Sequence, residues 1–285
     1  ASDVYKRQIQ FRGRRAIGWV DALRILACFM VVLAHCCDGF VAQFDSDPTA
    51  FYAGVTIGSL MRASVPLFVM MTGVLLLPVP QTVTLSSFYR KRVGRIIPPL
   101  VFWSLALPPI AYLYFTGWGS HSLNPSVDMS AYTPEGLTNR LWNWVLNFNF
   151  DTTPLWYLYM LLGLYLIMPL IGSWLHETSK KDIRNFLGVW FITLFLPYVK
   201  LFAPAIGYTG NYGNMDILGA CDWNAFSTFY YVSGFIGYLV LAYYLKTYPL
   251  QWSASRLAMV FVPLFVVGYA ITAGGFIWMQ LHHPG

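Results

Sequence analysis

The chain has 285 residues, of which 57% are hydrophobic, 18% aromatic and only 11% charged. Soluble domains carry about 25% charged residues, so this supply cannot build a water-facing surface and the chain reads as an integral membrane protein. A formal charge of +6 does not imply nucleic acid, because the basic residues sit beside apolar spans rather than on one water-exposed face.

Residues 1–16 read as an N-terminal cytoplasmic tail and 17–285 as one transmembrane domain. The opening Ala-Ser-Asp-Val-Tyr-Lys-Arg-Gln begins without Met, looks unlike the rest and is set aside as a cloning or assembly remnant. No cleavable signal peptide is expected, since the first apolar run carries Asp21 and Arg24. A crossing needs about 20 mostly apolar residues, which predicts helices at about 17–37, 53–78, 97–116, 154–175, 185–203, 226–245 and 257–280. The expected fold is all-α, a polytopic transmembrane helix bundle of seven to eight spans. Residues 117–153 are polar and punctuated by Asn, Asp, Gly and Pro. Their Trp142, Trp144, Phe148 and Phe150 point to a loop helix at the membrane interface.

Charge fixes the expected orientation. With the N-terminus inside, Lys6, Arg7, Arg12, Arg14 and Arg15 are cytoplasmic, followed by Arg90, Lys91, Arg92 and Arg95, then Lys180, Lys181 and Arg184, then Lys246 and Arg256. Arg140 is the one basic residue expected outside, and Arg24, Arg62 and Lys200 fall in or near spans. That asymmetry predicts a multi-pass protein with its N-terminus in the cytoplasm.

The first span carries Asp21, Arg24 and His35. Eleven residues separate Arg24 from His35, so a helix puts them within roughly 20° on one stripe and about 16 Å apart along the axis. Ionisable groups inside a membrane helix are costly unless they face a partner or a wet cavity, which makes the stripe a functional-site candidate. The bland reading is an i,i+3 Asp21–Arg24 pair at one interface and a His35 emerging at the other. Arg62 is equally open between a cavity residue and a snorkelling one. Arg90, Lys91, Arg92 and Arg95 form either topogenic charge against anionic headgroups or a guanidinium fork for phosphate. Trp156 and Tyr157 suit the aromatic belt. His121, His176, His282 and His283 read as solvated surface residues. The cysteines Cys28, Cys36, Cys37 and Cys221 are too few for a disulfide scaffold and lack zinc spacing, so no metal is expected. Vicinal Cys36 and Cys37 read as free thiols or packing.

Asp21-Ala-Leu-Arg24-Ile-Leu-Ala followed by Val-Val-Leu-Ala-His35 resembles the Arg-x10-His signature of the membrane acyltransferase 3 family. Ser64-Val-Pro-Leu-Phe-Val-Met-Met-Thr72-Gly73, the stretch Arg92-Val-Gly-Arg95-Ile-Ile-Pro98-Pro99, Pro154-Leu-Trp156-Tyr157 and Phe229-Tyr-Tyr-Val-Ser-Gly234-Phe-Ile-Gly237-Tyr-Leu are similar to later family stretches, in the same order. Thr72 stands where the family usually has Ser. Typical members have about ten spans, so the resemblance implies that the last of them are absent from this chain.

The resemblance implies transfer of an acyl group, commonly acetyl, from acyl-CoA to a hydroxyl or amine of a cell-envelope carbohydrate or lipid-linked glycan in a bacterial inner membrane. His35 would be general base or transient acyl carrier, Arg24 would bind the donor or stabilise charge on the thioester oxygen, and Asp21 would orient Arg24. Arg92 and Arg95 would bind acyl-CoA phosphates, while Trp156, Tyr157 and Arg62 would shape the acceptor pocket. No permanently bound cofactor and no nucleic-acid partner are implied; the partners are acyl-CoA, the acceptor glycan and membrane lipids. The competing readings are a proton-coupled transporter using Asp21, Arg24 and His35 as a relay, and a non-catalytic scaffold.

Overall fold

The computed structural model describes residues 2–118, 125–209 and 226–282, with side chains described from residue 18 onward except at 118 and 227–228. Every regular element among the described residues is helical. Among the described residues, six helical stretches are long and apolar enough to cross a membrane, Gly18–Val41, Pro48–Leu76, Leu85–Gly117, Phe150–Glu177, Lys180–Ile206 and Ala254–His282. The polytopic helical bundle expected from sequence is the observed fold.

The crossing expected at 226–245 is not among the six. A 3-10 turn, Ser227–Val232, is separated from the helix Ile236–Thr247 by an extended Ser233 and by Gly234, whose φ of +73° is left-handed and ends helical propagation. Twelve residues rise only about 18 Å, short of the roughly 30 Å of hydrocarbon. Hydropathy is blind to such a break, because Ser-Gly hardly changes the average over an aromatic stretch.

Two compact units make up the chain: residues 1–68, 90–162 and 251–285 form the first, and residues 69–89 and 163–250 the second. In the first unit, α1 (Ser2–Val41) buries Val20, Ala27 and Cys37, a stripe of modest side chains that lets a neighbour approach. The neighbour is α2 (Pro48–Met61), started by Asp47, whose carboxylate accepts from the Thr49 and Ala50 amides, with Pro48 in the first turn. Gly54 makes the approach possible. A Cβ there would lie 2.8 Å from Phe40 Cβ and 2.9 Å from the Val41 nitrogen, and Gly58 faces Cys37 one turn later, a small-x-x-x-small seam. α2 stops at Arg62, and after a tight turn α3 (Ser64–Leu76) completes the second span. α10 (Ala254–His282) meets α2 through the Tyr269 hydroxyl, which donates to the Thr56 carbonyl at 3.2 Å.

α4 (Leu85–Leu113) stays helical through Pro98, Pro99, Pro108 and Pro109, although each proline removes an amide donor from the i→i−4 ladder. The basic run Arg90, Lys91, Arg92 and Arg95, which precedes the span expected to start at about residue 97, is itself helical. After α4 the chain makes a five-residue π-helical turn, and the described segment resumes as a capped 3-10 turn at Met129–Ala131. It continues as α5 (Pro134–Trp142) and a 3-10 turn over Phe150–Leu155, then enters α6 (Trp156–Glu177). This is the short loop helix foreseen for 117–153. Trp142, Val145 and Leu146 are strongly exposed on it, as interface residues are.

The second unit contains α7 (Lys180–Thr193), α8 (Leu196–Phe202) and α9 (Ile236–Thr247). Trp190 of α7 lies on Gly237 of α9, and its indole nitrogen donates to the Gly234 carbonyl at 2.9 Å. Lys246 caps the end of α3 by donating to the Val74 carbonyl at 2.6 Å.

Candidate active site

Among the described residues, α1 carries two separate acid–base contacts rather than one connected triad. Arg24 Nη1 donates to Asp21 Oδ1 at 2.7 Å. His35 Nδ1 meets Asp38 Oδ2 at 3.0 Å. Both are i,i+3 pairs, brought together because residues one turn apart share a helix face. Between Arg24 and His35 lie Ile25–Ala34, ten residues of which none is Asp, Glu, Lys, Arg or His, so α1 alone offers no continuous proton relay. Neither pair is enclosed: Arg24 and His35 each keep 48% of the side chain exposed, beside the packed stripe of Val20, Ala27 and Cys37 rather than within it.

Asp38 is a partner that the sequence reading does not name. The signal was present as His-x-x-Asp at helical i,i+3 spacing, and it was overlooked because α1 was expected to end near residue 37. Asp38 also lines a crevice between α1 and α2, next to Cys37 and opposite Gly58, Ser59 and Arg62. The crevice is small, about 10 Å³, which is room for a single water at most. Arg62, the last cap residue of α2, is thus placed beside the His35 carboxylate partner. The Gly54/Gly58 seam is what puts it there.

Arg92 and Arg95 share one face of α4, three residues apart. Arg95 is exposed and Arg92 half-buried, and neither forms an ion pair with an acidic group among the described residues. Two unneutralised guanidinium groups on a helix face suit an oxyanion ligand. Trp156 and Tyr157 open α6, half-buried, with the Tyr157 ring 5.8 Å from Phe68. His176 is exposed and its Nε2 meets the Val79 carbonyl at 2.8 Å; His282 is exposed and stacks on Trp278. Cys28, Cys36 and Cys37 are free thiols. His121, His283 and Cys221 lie outside the described residues.

The segment after α4 holds a buried network with no counterpart in the sequence reading. Arg140 Nη1 donates to Asp151 Oδ2 at 2.6 Å, with only 15% and 2% of the two side chains exposed. The Tyr132 hydroxyl donates to Asp151 Oδ1 at 2.6 Å, and the Arg140 guanidinium lies 4.4 Å from the Tyr132 ring centroid. Burial, and then the Asp151 carboxylate beside it, pushes the Tyr132 phenol up to about 12. On the exposed 3-10 turn, the Ser130 hydroxyl and amide hold the Asp128 carboxyl below its ordinary range.

A family model described as an acyltransferase domain, Acyl_transf_3, matches residues 17–284. The chain belongs to the membrane acyltransferase 3 family. It is accordingly a membrane acyltransferase, and the ordered motifs along it have the origin their resemblance implied. No curated protein and no solved structure matches the chain. Against the fold, the motif residues of this acyltransferase divide in two. Gly73 and Gly237 are packing positions, the first against the Leu239 backbone and the second beneath the Trp190 ring, whereas Arg24, His35 and Arg95 are exposed and Arg92 is half-buried.

Proposed function

We propose that this protein transfers an acyl group, in the first instance acetyl, from acyl-CoA to a hydroxyl of a cell-envelope carbohydrate or lipid-linked glycan, with His35 as general base. The observation that carries the proposal is the contact of His35 Nδ1 with Asp38. A carboxylate accepting from Nδ1–H fixes the imidazole tautomer whose Nε2 is an acceptor, and it stabilises the imidazolium formed when Nε2 takes a proton. Imidazole is the side chain whose ordinary proton affinity suits that exchange near neutral pH.

In the reaction, Nε2 removes the proton of the acceptor hydroxyl while its oxygen attacks the thioester carbonyl. The new C–O bond forms, the tetrahedral intermediate collapses with cleavage of the C–S bond, and the imidazolium returns its proton to the departing sulfur. Arg92 and Arg95 would hold the donor's phosphates on the cytoplasmic side, where acyl-CoA is made. Arg24, held by Asp21 about three turns of α1 from His35, would act on the donor along its path; that separation removes it from the carbonyl that His35 serves. Arg62 would contribute positive charge beside Asp38, and Trp156 with Tyr157 would form an aromatic wall for the acceptor. An inner-membrane location with the N-terminus in the cytoplasm completes the reading.

The test is acyl transfer to membrane glycans by His35→Ala in a chain that reaches the membrane at wild-type level. Transfer is expected to fall by about 10²–10⁴-fold; transfer at the wild-type rate removes His35 as base.

A further inference from the structure

A second cleft lies in the first unit, away from the α1 pairs. It has a volume of about 150 Å³ and is bounded by Ser104 of α4, by Asn139 of α5 and its C-cap Asn143, and by Trp144, Asn147 and Phe148 just beyond it. In an engineered protein interior a cavity of about this size takes one benzene ring, so the cleft seats one face of a single hydroxylated six-membered ring and leaves the rest of it outside. Its lining is unusual in composition. Asn139, Asn143 and Asn147 recur every fourth residue and all three line the space, forming its exposed rim, and Trp142, Val145 and Leu146 between them are strongly exposed as well.

The polar atoms are only partly engaged. Asn143 donates its amide to Asn139 Oδ1, and Asn147 Oδ1 accepts from the Phe148 amide nitrogen. This leaves the Asn139 and Asn147 NH₂ groups as donors and the Asn143 carbonyl as an acceptor. At the bottom, Ser104 is 2% exposed, and its hydroxyl is the one buried side-chain polar group without a hydrogen-bond partner among the described residues. A buried hydroxyl left unpaired is costly and calls for a ligand group or a water.

Charge narrows the ligand class. Among the described residues Arg140 is the only charged side chain lining the cleft, and its charge is already matched by Asp151 at 2.6 Å. An anionic ring would therefore meet no free cation, whereas a neutral ring bearing hydroxyls would find mixed donors and acceptors plus the apolar surfaces of Trp144 and Phe148 for its C–H face. Alternating crossings also put this segment, after the third span, on the same side as the His35 end of the first.

We propose that this cleft is a subsite for one uncharged pyranose unit of the acceptor, seated on Ser104 and the asparagine row. The proposal deepens the acyltransferase reading and rests on it for the word acceptor; the binding itself does not depend on catalysis. The test uses the full chain in nanodiscs, titrated with the methyl pyranosides of glucose, galactose and mannose, with N-acetylglucosamine and with glucuronate, read by saturation-transfer NMR and Trp fluorescence. At least one neutral sugar is expected to saturate, with glucuronate binding more weakly than glucoside. Ser104→Ala removes a buried hydroxyl that pairs with nothing and so does not lower thermal stability, while it weakens that sugar about fivefold, the worth of one hydrogen bond. Asn143→Leu weakens it further. His35→Ala leaves sugar affinity intact. Saturation by no neutral sugar, equal affinity for glucuronate, or indifference to both cleft variants overturns the subsite. If sugar binds as described while His35→Ala still transfers acyl groups, the base is wrong and the subsite stands. If His35→Ala abolishes transfer but no sugar binds, the subsite is wrong and the base stands.

Discussion

His35 and Asp38 stand one turn apart on α1 with Nδ1 and Oδ2 3.0 Å apart, and Arg24, eleven residues before His35, meets Asp21 at 2.7 Å in the opposite order, acid first. Each basic group is thus held by an acid on its own helix, without help from a distant element. The geometry survives any movement that keeps α1 intact. What lies across from each pair can then change during turnover while the imidazole keeps its tautomer.

Asp38→Asn should separate orientation from charge. The amide can still touch Nδ1, but it no longer stabilises an imidazolium and it offers Nδ1 either an oxygen or an NH₂ group. In a serine protease triad the equivalent change lowers kcat about 10⁴-fold through the wrong tautomer; at a half-exposed pair the loss should be smaller, about 10²-fold, with KM for acyl-CoA unchanged. Steady-state kinetics of acyl transfer, with acyl-CoA and acceptor varied in turn, checks this. A variant with wild-type kcat would show that Asp38 is a bystander.

If Arg92 and Arg95 grip the phosphates of the donor, Arg95→Ala should raise KM for acetyl-CoA about tenfold, the effect of one lost charge-assisted contact of about 1.5 kcal/mol. Arg92→Lys should recover little, because a single ammonium cannot reproduce a planar fork. Dephospho-CoA derivatives discriminate the assignment: the wild type should prefer the phosphorylated donor, and the double alanine variant should lose that preference. Equal KM values for the two donors in the wild type would return the arginines to a role against lipid headgroups.

The spans were legible because hydropathy alone reports them, and the Arg24–His35 stripe was legible because helical spacing is arithmetic. Three features were not. The break at Ser233–Gly234 depends on one left-handed residue in an apolar run, which changes no average. The His35–Asp38 pair needed α1 to continue past residue 37, and element ends are the least readable part of a helix. The Arg140–Asp151–Tyr132 network joins residues up to 19 apart in an irregular segment, where no periodicity links them and only the folded turn brings Tyr132 to Asp151. The motif glycines Gly73 and Gly237 were read as family marks; their physical content, close backbone and ring contacts, needed coordinates.

Gly237 provides a test of packing independent of catalysis. Any Cβ at this position runs into the Trp190 ring, so Gly237→Ala must displace an indole that is anchored to the Gly234 carbonyl. Overpacking of this kind costs about 1–3 kcal/mol, and Gly237→Val should cost more. A fall in the thermal unfolding midpoint of the purified protein in detergent, partly reversed by Trp190→Phe, is the expected result. An unchanged midpoint in Gly237→Val would mean that α7 and α9 do not pack as described.

The Tyr132 phenol predicts alkaline behaviour of the outer segment. Its folded pKa of about 12 lies above the ordinary value near 10, raised by burial and by the Asp151 carboxylate. Below pH 10 the phenol is protonated folded or unfolded, and its hydrogen bond contributes in full. Between about 10 and 12 the unfolded segment sheds the proton while the folded one retains it, so stability falls as pH rises and the contribution is lost above the folded value. Hydrogen exchange of residues 129–152 should therefore show protection that is flat from pH 7 to about 10, after correction for the intrinsic rate, and declines beyond it. Tyr132→Phe should start with weaker protection at neutral pH, having lost the bond to Asp151, and should not show the alkaline decline. A wild-type segment that begins to loosen well below pH 10 would place the titrating group elsewhere.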